Sequence, residues 1–186
     1  MHHQNRMRGL LCAALLLAGC GSKHPMQTFE SQDGGFTIET PVALRESEET
    51  SFISPRGGMS TELYKFAGGL ASEHCSFAVW YQDYPDLYLA QTGTDKLLDN
   101  TRDAMAQAVR GTVAKEDKIT FLNYPGRNIA ITAYSSEAEK MTMHLRIFLV
   151  NNRLYRIMVI DGELQRVPQD VLNRFMASFQ LTKPAG

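Results

Sequence analysis

The chain lacks both a strong charge imbalance and a long apolar run. Its 186 residues include 19 basic and 20 acidic side chains, so the formal net charge is −1. Proteins that bind nucleic acid usually carry a basic patch or stripe, and the balanced charge therefore argues against a nucleic-acid partner. The apolar segment Leu10–Ala18 is shorter than the roughly 20 residues that a membrane-spanning helix needs.

Enzyme and metal-site motifs are missing as well. The sequence contains no GxSxG nucleophile motif, no phosphate-binding loop and no dinucleotide fingerprint. The part of the chain after residue 19 has no HxH, HxxxH or CxxC spacing that would bring metal ligands together. We therefore expect no cofactor, no metal site and no enzymatic activity.

Cysteine is scarce, with three residues in the whole chain. A chain in which 44% of the residues are hydrophobic can form a core without disulfides. Cys12 and Cys20 lie near the amino terminus, and one remaining thiol, Cys75, cannot form an internal disulfide. The scarcity therefore excludes a disulfide-stabilised scaffold.

The amino terminus has the three parts of a secretory signal peptide. Arg6 and Arg8 precede the short apolar segment, and the small residues Ala18 and Gly19 follow it. The ending Leu17-Ala18-Gly19-Cys20 resembles the lipobox of bacterial lipoproteins. This resemblance implies that residues 1–19 are a signal peptide and that Cys20 receives diacylglyceryl on its thiol and an acyl chain such as palmitate on its amino group. The alternative is an ordinary secreted protein with a chance cysteine.

A lipid on Cys20 would make the membrane a partner of the chain. Stable anchoring needs at least two lipid signals, and a triacylated cysteine satisfies that requirement. Residues 20–28 then form the lipidated cysteine and a tether, and the rest of the chain lies in the cell envelope, on the periplasmic side of a bacterial membrane. Gly21, where enterobacterial sorting to the inner membrane uses aspartate, favours the outer membrane by analogy.

Cys75 lies in the strongly β-prone run EHCSFAVWY. It is next to His74, the obvious base for a thiol nucleophile, but neighbours on a strand point to opposite faces. We therefore expect a buried structural thiol. An enzyme that uses Cys75 with a base from elsewhere, for example His144, remains an alternative.

The rest of the chain alternates β-type runs and turn signals with two helical segments. Asp33-Gly34-Gly35 and Asn151-Asn152 suit hairpins, and Pro125-Gly126 suits the centre of a type II turn. Apolar residues at spacings of three and four predict helices over residues 95–110 and 168–179. Many strands with hairpin connections indicate an α+β fold, in which an antiparallel β-sheet is flanked by two main helices.

The order of these elements is familiar. The segments GGFTIETP, YQDYP, YPGR, RIFLVNNRLYRIMV and VLNRFMASFQL resemble those of the PsbP-like α/β/α sandwich. The resemblance covers residues 29–182 and implies a single domain. It also implies a module that binds other proteins, here another envelope protein, and that is not an enzyme. No functional residue is carried over, because no position matches a binding motif of the family.

Two groups of residues are candidates for a binding surface. Tyr84 and Tyr88 lie in YQDYPDLYLAQTG, where a loop leaves the sheet, and tyrosine is enriched in interface cores. The second group consists of His144, Arg146, Arg153 and Tyr155, which share one face of the final hairpin and suit an anion or a carboxylate of a partner. The alternative for the second group is the polar edge of a half-covered sheet, with arginine stems lying on aromatic rings.

These observations predict a membrane-anchored lipoprotein that acts as a non-enzymatic interaction or accessory module of the cell envelope. A small-ligand carrier with a pocket between sheet and helix is one alternative. An enzyme that uses Cys75 is another.

Overall fold

The computed structural model describes residues 25–52, 60–70, 75–164 and 166–182. The predicted signal peptide, Cys20 and His74 lie outside these ranges. The described strands are β1 (Gln27–Ser31), β2 (Phe36–Thr40), β3 (Arg45–Phe52), β4 (Ser60–Leu70), β5 (Cys75–Asp83), β6 (Thr112–Phe121), β7 (Tyr124–Tyr134), β8 (Lys140–Val150), β9 (Arg153–Gly162) and β10 (Gln180–Leu181). The described helices are α1 (Asp86–Thr92), α2 (Thr94–Ala108) and α3 (Gln169–Ala177).

The prediction of an α+β fold, with an antiparallel sheet flanked by two main helices, is wrong. The described part of the chain is mostly β, with ten strands in two sheets and three short helices. The larger sheet has seven strands in the order β3-β4-β5-β9-β8-β7-β6, and the smaller sheet has the order β1-β2-β10. None of the helices in the described ranges is long and apolar enough to cross a membrane.

The hairpin predicted at Asp33-Gly34-Gly35 is confirmed, because β1 and β2 pair antiparallel on either side of it. The sequence did not predict that this hairpin forms a separate sheet with β10, which has only two residues. A two-residue strand has no alternation that a sequence pattern can reveal. The predicted helix over 168–179 also extended up to the start of β10, whereas α3 ends at Ala177.

Each face of the seven-stranded sheet has its own core. On the first, which we call the α3 face, Phe77, Val79, Phe148, Tyr155 and Ile157 pack with α3 and with Phe36 of the small sheet. On the second, the α2 face, the apolar side chains of the sheet pack against Leu97, Leu98 and Met105 of α2; these sheet residues are Ala78, Ile129, Met143, Leu145, Ile147 and Met158. Because side chains alternate along a strand, β8 and β9 supply both cores.

The hairpin predicted at Asn151-Asn152 is confirmed. Asn151 has a φ of 53°, in the left-handed region that asparagine tolerates. The turn pairs Leu149 with Leu154 and Phe148 with Tyr155, which is the register that the two-residue loop predicted.

The turn predicted at Pro125-Gly126 is wrong. The chain reverses at Leu122 and Asn123, whose φ values are 48° and 73°, and Pro125 and Gly126 lie inside β7. Gly126 is needed for packing and not for a turn. A Cβ at this position would collide with the carbonyl oxygen of Ile147 and would lie 2.6 Å from the ring of Phe148.

We expect Gly126→Ala to lower the free energy of unfolding by about 1–3 kcal/mol, because the added methyl group overpacks this contact. The matched change Asn123→Gly keeps a residue that accepts positive φ and should alter stability by no more than about 0.5 kcal/mol. Urea denaturation of both variants measures the two values. A Gly126→Ala variant as stable as the parent would contradict the close approach of β7 and β8.

Candidate functional site

A groove of about 380 Å³ lies on the α3 face, between α3 and strands β6 to β8. We call it the α3 groove. Its polar lining includes Lys115, Asp117, Asn128, His144, Arg146, Gln169 and Asn173, and Leu172 and Met176 of α3 supply apolar surface. The groove thus combines basic and amide groups with an apolar patch.

Two of the predicted residues, His144 and Arg146, line this groove because side chains alternate between the two faces along β8. His144 and Arg146 alternate with Leu145 and Ile147, which are buried on the α2 face. The side chains of His144 and Arg146 therefore lie on the α3 face beside the helix. No signal in the sequence indicated that α3 and β6 would complete a groove around them.

Arg146 is held in the groove by neutral acceptors. Its Nε donates to Oδ1 of Asn128 at 2.6 Å, and its Nη1 donates to the carbonyl oxygen of Met176 at 2.6 Å. Burial lowers the pKa of Arg146 from its ordinary value, and no carboxylate of a described residue forms an ion pair with it. The guanidinium therefore contributes a positive charge that the described residues around it do not neutralise.

His144 also lines the groove. Its Nε2 lies 3.6 Å from Oδ1 of the buried Asp161. The second oxygen of Asp161 accepts the backbone N–H of Val167 at 3.1 Å, just before α3. Asp161 therefore ties the end of β9 to the segment that leads into α3.

Arg153 and Tyr155 share the α3 face but lie outside the groove lining. Arg153 donates through Nε and Nη2 to both carboxylate oxygens of Asp83, at 2.6 and 2.7 Å, and through Nη1 to the carbonyl oxygen of Asp33 at 2.8 Å. The hydroxyl of Tyr155 donates to the carbonyl oxygen of Gly34 at 2.7 Å. Both side chains hold the β1–β2 hairpin on the large sheet.

Tyr84 and Tyr88 belong to the opposite face of the sheet. Tyr84 is 7% exposed, and burial raises the pKa of its hydroxyl. This hydroxyl donates to Oε1 of Gln82 at 3.0 Å, and the two tyrosine rings stack with 5.6 Å between centroids. In α1 it is Leu87, 66% exposed, that presents a large apolar side chain to solvent.

Arg156 lies beside Tyr84 and interrupts the apolar α2 face. Its Nη2 donates to Oε1 of Gln82 at 2.8 Å. Its Nε is buried and has no hydrogen-bond partner among the described residues, and Nε1 of the neighbouring Trp80 is in the same situation. Burial lowers the pKa of Arg156, so a positive charge on this residue is costly.

The described residues hold no group of three or more metal-ligating side chains that could bind an ion. The predicted burial of Cys75 is confirmed, since this thiol is 5% exposed at the start of β5.

We expect Arg156→Met to leave the free energy of unfolding unchanged or to raise it, because an apolar side chain of similar length replaces an uncompensated buried charge. Gln82 and Tyr84 keep their mutual hydrogen bond. The matched variant Arg153→Met removes the bonds to Asp83 and to the hairpin and should cost about 1–3 kcal/mol. Urea denaturation compares them, and a greater loss for Arg156→Met than for Arg153→Met would contradict this account.

The chain matches no family model and no curated protein. Among solved structures, it is similar to the cyanobacterial PsbP protein CyanoP from Synechocystis sp. PCC 6803, with a TM-score of 0.55 and 10% sequence identity over 89% of this chain and 98% of that one. It is also matched to PA94 of Pseudomonas aeruginosa, a protein of unknown function described as a putative regulator, with a TM-score of 0.32 and 7% identity over 75% of this chain and 85% of that one. The likeness to CyanoP shows that the chain has a PsbP-like fold.

Proposed function

We propose that this chain is a lipid-anchored, non-enzymatic interaction module of the bacterial cell envelope, and that it binds a partner protein through the α3 groove. The observation that carries the proposal is that the guanidinium of Arg146 is partly buried and is bonded to neutral acceptors. Moving a guanidinium out of water costs free energy unless an opposite charge or a full set of hydrogen bonds replaces the water. In the described residues Arg146 has neutral acceptors, at an open groove, so a partner can supply the missing negative charge.

The anchor is supported by the sequence Leu17-Ala18-Gly19-Cys20, which resembles a lipobox. β1 begins at Gln27, so the chain from Cys20 to this strand reaches at most about 25 Å at the usual 3.3–3.6 Å per residue. A domain on so short a tether would work close to the periplasmic side of its membrane, with the outer membrane favoured by Gly21. Its partner would be another protein of the envelope.

The burial of Cys75 argues against a function that uses this thiol as a nucleophile. A catalytic cysteine needs access to solvent and a lowered pKa, whereas this thiol is buried in the core of the α3 face. The PsbP-like fold fits a binding module, although a fold alone does not determine a function.

A small-ligand carrier is the second candidate function. The volume of the groove, about 380 Å³, falls within the range of small-molecule sites, roughly 300–1,000 Å³. Native mass spectrometry of the purified lipoprotein distinguishes the two functions. A co-purifying small molecule would favour the carrier.

The anchor can be tested by replacing Cys20 with serine. We expect Cys20→Ser to abolish incorporation of an alkyne-labelled palmitate and to remove the protein from washed membranes, because the lipid can no longer be attached. Cys75→Ser is the matched control and should keep both properties. Labelled, membrane-bound Cys20→Ser protein would refute the proposed anchor.

The interaction can be tested by photo-crosslinking in intact cells. A photoreactive residue at Gln169, on the exposed rim of the groove, should give a specific and saturable protein adduct. The same residue at Leu87, exposed on the other side of the molecule, should give none. Equal capture at both positions would contradict a role for the groove.

A further inference from the structure

The charges and donors of the α3 groove indicate what kind of group it binds. We propose that the groove binds a carboxylate carried by the partner protein, and that Arg146 and Asn173 donate the hydrogen bonds to it. This inference rests on the proposed function, because it names the chemistry of the same site.

The guanidinium of Arg146 keeps donors that form no hydrogen bond within the described part of the chain. Its bonds to Asn128 and Met176 use Nε and one hydrogen of Nη1. Nη2 and the second hydrogen of Nη1 remain on the planar end of the group. That edge matches the two oxygens of a carboxylate, which arginine binds in a bidentate manner.

Asn173 supplies a second donor from α3. Its Oδ1 accepts a hydrogen bond from Nε2 of Gln169 at 2.9 Å, one helical turn earlier. With this oxygen engaged, the NH₂ group of Asn173 is the part that remains to donate. Arg146 and Asn173 therefore offer N–H groups from two different elements, a strand and a helix, that line the same groove.

The balance of charge favours a group with a single negative charge. Lys115 lies 2.8 Å from the carboxylate of Asp117, so these two charges offset one another at the rim. Asp161, which accepts the N–H of Val167, is not one of the lining residues of the groove. Among the lysine, arginine and carboxylate side chains that line the groove, Arg146 is left unbalanced, and a phosphate dianion would bring a second negative charge into a groove that already contains Asp117.

The open rim favours a protein side chain over an enclosed small molecule. The side chains of Lys115 and Asp117 are 72% and 52% exposed, whereas small-molecule sites bury roughly 70–90% of their ligand. An acidic side chain that projects from a partner surface needs only its tip to be covered. Leu172 and Met176 then contact the methylene groups of that side chain.

The test uses the lipidated full-length protein in detergent micelles and two blocked peptides. The probe is acetyl-Ala-Ala-Glu-Ala-Ala-amide, and its control replaces Glu with Gln. NMR signals of the Arg146 Nε–H and of the Asn128 and Asn173 side-chain amides report binding. We expect the Glu peptide to saturate these shifts with a Kd lower by about ten-fold or more than that of the Gln peptide, since a charged hydrogen-bond acceptor is lost in the control.

One substitution separates a binding role of Arg146 from a structural one. Asn128→Asp keeps an oxygen within hydrogen-bond distance of Nε and adds a negative charge, so Arg146 stays in place but is neutralised. Binding of the Glu peptide should weaken by about ten-fold or more, while the thermal unfolding temperature is kept or rises. Arg174→Gln is the control on the same helix, because Arg174 pairs with Glu39 away from the groove, and it should bind as the parent does.

Three results would overturn the proposal. They are equal binding of the two peptides, full binding by the Asn128→Asp variant, and tighter binding of acetate or inorganic phosphate than of the Glu peptide. The last result would assign the groove to a small anion. If the peptides fail while crosslinking through Gln169 succeeds, the carboxylate is rejected and the proposed interaction module stands.

Discussion

The strict alternation of side chains along β8 and β9 is the constraint on which the rest of the molecule depends. Both strands lie in the middle of the seven-stranded sheet, so each residue faces one of two cores. Ile147 packs under α2, and Phe148 packs on the α3 side with the rings of Phe121 and Phe179. A shift of one residue in β8 or β9 would exchange the side chains that this strand supplies to the two cores, and a shift of β8 would also move Arg146 from one face to the other.

The hairpin of β8 and β9 carries three arginines whose surroundings differ, and the differences indicate their roles. Arg153 has a bidentate carboxylate, which raises its pKa, and it joins the hairpin to the sheet. Arg156 is enclosed by Gln82, Tyr84 and the α2 core, so an external group has no access to its Nε. Arg146 is intermediate, because its Nε and Nη1 donate to neutral acceptors of the protein while its side chain lines an open groove. Only this third arrangement combines a fixed guanidinium with room for a ligand.

Local patterns predicted the local structure of this chain well and its long-range structure poorly. The Asn151-Asn152 turn and its register followed from residues that are neighbours in the sequence. The prediction of a turn at Pro125-Gly126 was wrong because the glycine is required by its close contact with Phe148, which lies on another strand. For the same reason, the sequence grouped His144, Arg146, Arg153 and Tyr155 by face alone. In the structure His144 and Arg146 line the α3 groove, whereas Arg153 and Tyr155 bind the β1–β2 hairpin. This division depends on which distant elements cover each part of the sheet.

The first strand has a mechanical consequence if the chain is anchored as proposed. The tether enters β1 at Gln27, and this strand is joined to β2 by the ladder that runs from Gln27 and Thr40 to Ser31 and Phe36. Gln27, where the tether enters, and Thr40, where the chain continues towards β3, form the same rung at the open end of this hairpin. Tension on the tether would therefore reach this rung first and would peel the rungs apart one after another towards Ser31 and Phe36. The hydrogen bond from Tyr155 to Gly34 lies at the far end of the hairpin, so the contact between the turn and the large sheet would be the last to be loaded.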